Sequence, residues 1–236
     1  MTGPTAPLVA TDAELIWQQC LFAFEEPAVS DLDAASSGPT RTWLDETSWV
    51  DVVPRWLSGA DLVFAELVAK LPWCQREVTM YDRRVAEPRL TAWWGLTGGE
   101  PEPLPVLELA RTALTRRYSR PFDSIGFNLY RDGRDSVAWH ADRERYFHED
   151  PVVAILSTGA PRALHIRRKP SQGKGAPSHT WHIGQGDLLV MGGACQHDFE
   201  HCIPKAAHVP GPRLSIMFRH NMADWQPPPS GTYNQA

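Results

Sequence analysis

From about residue 121 onward the chain reads as short strands set close together, and this run limits the fold more than any other feature. Alternation or short apolar runs predict strands near 125–130, 136–141, 152–157, 163–168, 180–183, 187–191 and 213–219. Gly133, Gly159, Gly184, Gly186, Gly192 and Gly193 punctuate them, and 170–179 (PSQGKGAPSH) reads as a hairpin tip. Two helices come first. Ser58 is the expected cap of a helix over Leu62–Leu71, with Leu62, Val63, Leu67 and Leu71 as its apolar stripe. Leu104, Leu107, Ala110 and Leu114 form a second stripe, with Arg111, Arg116 and Arg117 off it. Helices followed by crowded strands predict an α+β chain: a double-stranded β-helix, or jelly roll, supported by N-terminal helices.

The length of 236 residues suits one domain with an appendage. Thr11 to Glu14 reads as a capping box before an apolar segment at Leu15–Phe24, and 27–40 as a linker. The expected division is an acidic, partly helical extension at 1–42, a compact domain at 43–225 and a tail at 226–236. Residues 1–60 hold nine acidic and two basic residues, so that end should avoid a polyanion. The other 176 residues hold 19 acidic and 21 basic, which leaves room for a local basic patch. No apolar run approaches the roughly 18 residues of a membrane helix, and the N-terminus lacks the pattern of a secretion signal. Cys20, Cys74, Cys195 and Cys202 form no C-x-x-C pair, so a reducing cytoplasm is the expected location.

Chemistry concentrates in Phe127–Glu144, FNLYRDGRDSVAWHADRE. His140 and Asp142 are two apart, and on a strand they would project from one face toward one ion. His201, in FEHCIPK, is a candidate third ligand, with His197 competing for that place. Two imidazoles and a carboxylate would leave positions open on a six-coordinate ion, the pattern of Fe(II) oxygenases. Arg213 and Arg219, six residues apart in RLSIMFR, would face the same side of a strand. Two inward guanidinium groups need an anion, and a small dicarboxylate such as 2-oxoglutarate fits. Asn128 and Tyr130 share a strand face and could assist.

Together these residues resemble the AlkB family of Fe(II)/2-oxoglutarate-dependent nucleic-acid demethylases. The matching pieces are PRLTAWWG (88–95), NLYRDGRDSVAWHADRE (128–144), GDLLVMGG (186–193), EHCIPK (200–205) and PRLSIMFR (212–219), and the likeness covers about 45–222. By position it implies that His140, Asp142 and His201 ligate iron. It implies that Arg213 holds the far carboxylate of 2-oxoglutarate with Asn128, Tyr130 and Ser215, and that Arg219 lies near Asp142. Ser215 stands where the family often has Asn, and Glu144 where it usually has the Asp that touches the damaged base.

The resemblance further implies Fe(II), 2-oxoglutarate and O2 as cofactor and co-substrates. The expected activity is oxidative removal of methyl groups from 1-methyladenine or 3-methylcytosine in single- or double-stranded DNA, with RNA as a further substrate. Succinate, CO2 and formaldehyde would be released by a monomeric enzyme away from any membrane. Trp93, Arg89 and Met191, with Glu144, are the expected substrate contacts; Arg83, Arg84, Arg143 and Arg145 are further phosphate candidates, and Tyr81 a stacking candidate. Trp139, alternating with His140, is expected in the core. Two alternatives keep the same fold: an Fe(II)/2-oxoglutarate hydroxylase of a small molecule or protein residue, and a non-catalytic nucleic-acid-binding module.

Overall fold

The computed structural model describes residues 32, 38–80, 83–96, 101–142, 149–170 and 179–220. Thr40–Trp43 (β1) and Ser48–Val53 (β2) form an antiparallel hairpin. Asp45 makes its turn: Oδ1 accepts the Thr47 and Ser48 amides at 3.0 and 2.7 Å. Helix Ala60–Lys70 (α1) follows, then the strands Glu77–Met80 (β3), Arg83–Ala86 (β4) and Leu90–Gly95 (β5). Helix Pro105–Tyr118 (α2) starts on a proline, whose fixed φ suits the first turn, and ends at Ser119 in a left-handed conformation. The remaining strands are Phe122–Tyr130 (β6), Val137–His140 (β7), Val153–Gly159 (β8), Arg162–Arg168 (β9), His179–Ile183 (β10) and Leu188–Gly193 (β11). A short helical turn, Cys195–Asp198 (α3), leads into Phe199–Ile203 (β12), and Arg213–His220 (β13) is the last strand.

These strands build two main antiparallel sheets. One has the order β1-β2-β11-β8-β13-β6-β5 and the other β10-β9-β12-β7; β3 and β4 pair apart. The order of β6 to β13 is that of a jelly roll, with the chain passing between the sheets at each step except from β9 to β10. The large sheet is buried on both faces, and side-chain alternation sorts it. Leu214, Ile216 and Phe218 join Ile125, Phe127 and Leu129 against the helices, where Val63, Leu67, Leu107 and Leu114 meet them. Tyr130, Val153, Ile155, Leu189, Met191 and Met217 face the other way, toward Leu164, Ile166 and Ile203 of the small sheet. Arg213, Ser215 and Arg219 share the parity of Met217, so they too face the space between the sheets.

Several expectations need correction. The cap of α1 is Gly59, at φ 62°, and not Ser58. Leu62 is exposed, and Ala60, Val63 and Leu67 form the buried stripe. Trp139 is not in the core. Alternation with inward-facing His140 puts it on the outer face of the small sheet, where the Arg167 guanidinium sits 4.0 Å from its ring. The strand expected at 136–141 ends at His140. Strands β1 to β5 and β12 lie outside the expected set. The capping box at 11–14, the apolar segment at 15–24, most of the hairpin tip at 170–179 and the tail lie outside the described residues.

Candidate active site

Strand pairing creates the core of the site. β12 runs antiparallel to β7 with His201 directly opposite His140, and their rings lie 4.3 Å apart between centroids. Asp142 stands two residues beyond the end of β7, and its Oδ2 is 3.6 Å from His201 Nε2. One donor atom from each of His140, Asp142 and His201 lies within 4.8 Å of the others. Among the described residues this is the only such cluster of His, Cys, Asp or Glu. His197 lies on α3 and does not belong to it.

The environment prepares these groups for a cation. Burial pushes the His201 imidazole down to about 3, and facing His140 adds to the effect. Burial also lowers His140, against the pull of Asp142. Both rings therefore carry a free lone pair at neutral pH. His140 donates Nδ1–H to the Ala138 carbonyl at 2.8 Å, which turns Nε2 toward the other donors. Burial opposes ionisation of Asp142, but Arg219 and the two imidazoles outweigh it and hold the carboxyl below its ordinary range. Two neutral imidazoles and one carboxylate suit Fe(II).

The second part of the site lies along β13 and β6. Arg213 is 0% exposed. Its Nη2 donates to Ser157 Oγ at 2.7 Å, whereas buried Nε and Nη1 have no acceptor among the described residues. Its carbon lies 5.5 Å from the Tyr130 ring centroid, and Arg162 lies 5.7 Å from the same ring. Burial lowers Arg213 to about 10, so it remains a cation at neutral pH. A buried cation with two unused donors fits a carboxylate, which Arg grips with paired N–H groups. Ser215 pairs in register with Asn128 on one side and Ser157 on the other, so all three belong to this wall.

Arg219 closes the wall near the cluster by donating to Asp142 Oδ1 at 2.8 Å. Gly126 makes room for it: a Cβ there would lie 2.5 Å from Arg219 Nη1. The same Cβ would meet Trp93 at 3.4 Å, so Trp93 lines the site face while Trp94 is buried against the helices. Arg89 pairs with Glu87 at 3.1 Å and bears electrostatically on Tyr130 and His140. Met191 is fully buried between the sheets. Arg84 pairs with Glu77 at 3.2 Å. Glu144, Arg143, Arg145 and Tyr81 lie outside the described residues, as does the Arg83 side chain. Ser157, Gly126 and Gln196 carried no signal in the sequence; each matters through a partner distant along the chain.

A jelly roll holding two imidazoles and a carboxylate beside a buried arginine with unused donors defines a non-haem iron oxygenase that takes a dicarboxylate co-substrate. The 2OG-Fe(II) oxygenase superfamily profile matches residues 52–219. The chain is 36% identical to alpha-ketoglutarate-dependent dioxygenase alkB homolog 3 of Mus musculus, over 86% of this chain and 80% of that protein. Identity to the Homo sapiens protein of the same name is 32%, over 89% and 79%. It is 27% to DNA oxidative demethylase ALKBH2 of Arabidopsis thaliana, over 84% and 73%. The chain belongs to the AlkB family of Fe(II)/2-oxoglutarate-dependent dioxygenases.

Proposed function

We propose that the protein is an oxidative demethylase of N-alkylated bases of the 1-methyladenine and 3-methylcytosine type in DNA, with RNA as a further substrate. The observation that supports this best is the coincidence of the three-donor cluster and the buried Arg213 cation, with two of its nitrogens unused, in a chain similar over 84% of its length to a DNA oxidative demethylase. Residues 43–225 would form the catalytic domain of a monomeric cytoplasmic enzyme together with the start of β1, which pairs into the large sheet from Thr40; 226–236 would lie outside it. Cys74, Cys195 and Cys202 are free thiols, which suits a reducing compartment.

Each described residue has a defined task in this reading. His140, Asp142 and His201 would hold the iron. Arg213, assisted by Ser157, Tyr130, Asn128 and Ser215, would bind the far carboxylate of 2-oxoglutarate. Burial raises the Tyr130 phenol, so it keeps its proton and can donate it in a hydrogen bond. Arg219 orients Asp142. Bound there, iron with 2-oxoglutarate and O2 supplies oxidation of the N-methyl carbon, after which the methyl group leaves as formaldehyde. Trp93 offers a ring to an extruded base, and Glu144 would contact that base from its place after Asp142. Met191 would support the pocket from within the core, and Arg89 would place positive charge beside the substrate.

The test is incubation with Fe(II), 2-oxoglutarate, ascorbate and oligonucleotides carrying either lesion. Loss of the methyl group, followed by mass, with matching succinate is the expected result. 2-Oxoglutarate turnover without methyl loss would overturn the proposed substrate.

A further inference from the structure

Asp142 differs from its two partners in having no strand to hold it. His201 lies within β12 and His140 ends β7, but Asp142 follows in non-strand chain. A metal ligand on irregular backbone needs another restraint if its carboxylate is to stay within reach of the ion. Arg219 grips the carboxylate. The backbone is gripped from elsewhere.

We infer that Gln196 is a positioning residue for the metal site, fixing the backbone of Asp142 through its side-chain amide. Gln196 is 1% exposed. Its Oε1 accepts the Asp142 backbone N–H at 2.8 Å, across 54 residues of chain. Its Nε2 faces Met191 Sδ at 3.6 Å in the inter-sheet core. The backbone around it is also pinned: Lys169 Nζ donates to the Gln196 and His197 carbonyls at 2.9 and 2.5 Å. Met191 thus anchors the side-chain amide, and Lys169 the main chain that carries it. An amide serves both contacts because it accepts with one atom and donates with the other. A side chain without the acceptor would remove this restraint from the Asp142 backbone. The turn Cys195–Asp198 between β11 and β12 carries Gln196 to Asp142.

This inference rests on the metal-site reading above, and the experiment separates the two. Co(II), standing in for Fe(II), is titrated into the metal-free full-length chain as wild type, Gln196→Met and Gln196→Glu, each checked for folding by circular dichroism. Wild type should bind one ion per chain. Gln196→Met keeps the length and loses the acceptor; its affinity should fall about 10- to 100-fold with an altered Co(II) spectrum. Gln196→Glu keeps an acceptor oxygen and should recover most of the affinity. At saturating iron, the KM for 2-oxoglutarate should be the same in all three.

Folded Gln196→Met with wild-type affinity would overturn the inference alone, as would a Gln196→Glu variant no better than Gln196→Met. Absence of Co(II) binding to wild type would overturn the site itself and the inference with it. If Gln196→Met does not fold, hydrogen exchange on the metal-free wild type decides. Slow exchange of the Asp142 amide supports the inference, and exchange at the rate of an open amide overturns it.

Discussion

Arg219 donates to one carboxylate oxygen of Asp142 at 2.8 Å and leaves the other facing His201 at 3.6 Å. The arginine thereby orients the carboxylate and holds it ionised. Arg219→Met removes this restraint while keeping a long apolar stem. Burial then acts on Asp142 with less opposition, and its pKa rises. Wild-type Co(II) affinity is expected to change little between about pH 7 and 8, where the lowered imidazoles are neutral and the lowered carboxyl is ionised. In Arg219→Met the affinity should be weaker at all pH values and fall further toward pH 6. Metal titration across the range measures both effects.

Arg213 is a buried cation with two unused donors, so it costs stability in the metal-free, co-substrate-free chain. Arg213→Met should raise the melting temperature of that form. The same change should raise the KM for 2-oxoglutarate about a hundredfold or more, since paired charged hydrogen bonds are lost. Thermal melts and co-substrate kinetics on one preparation test both directions.

Gly126→Ala is a test of the wall between β6 and Trp93. The added methyl would stand 2.5 Å from the end of the Arg219 side chain and 3.3 Å from Met217 Cε. The arginine tip can swing away at small cost in stability, but it then leaves Asp142. The expected outcome is a folded protein with kcat lowered about tenfold or more, in proportion to loss of the outer metal-site partner. Circular dichroism and succinate release distinguish this from unfolding.

Acid should destabilise the metal-free protein. The folded pKa of His201 is lowered to about 3, so the unfolded chain binds its proton first. The stability contributed by neutral His201 is complete above the unfolded value of about 6.5 and declines as pH falls from there to about 3. Asp142, also lowered, acts in the same direction below the ordinary carboxylate range. Melting temperature recorded from neutral pH downward should fall, and it should fall less in His201→Asn.

The strands of the jelly roll that alternate strongly were legible in the sequence. In β6 and β13 every second residue is apolar (Ile125, Phe127 and Leu129; Leu214, Ile216 and Phe218), and that parity also placed Arg213, Ser215 and Arg219 on the correct face. β12 was missed because its five residues, FEHCI, mix an outward glutamate with an inward histidine. Its partner β7, which sets His201 opposite His140, is distant in sequence. β2 was missed for a related reason. Asp51 interrupts its apolar pattern, yet it is buried because Arg41 grips it at 2.7 and 2.8 Å and Tyr118 donates to it at 3.1 Å. Spacing alone left His197 and His201 as rivals, since residues four apart cannot be separated without knowing that a turn ends at Asp198 and a strand begins at Phe199. The restraints on Asp142 and Arg213, from Gln196 and Ser157, depend on contacts between distant strands and turns, and local pattern carries no record of them.

That rivalry gives the most direct test of the site. Metal content is measured on the full-length protein after loading with Co(II), in wild type, His201→Ala and His197→Ala, with folding checked in each. Wild type and His197→Ala should retain one ion per chain, and His201→Ala should lose it and with it all 2-oxoglutarate turnover. Full metal content and turnover in folded His201→Ala would contradict the three-donor site on which the proposed chemistry depends.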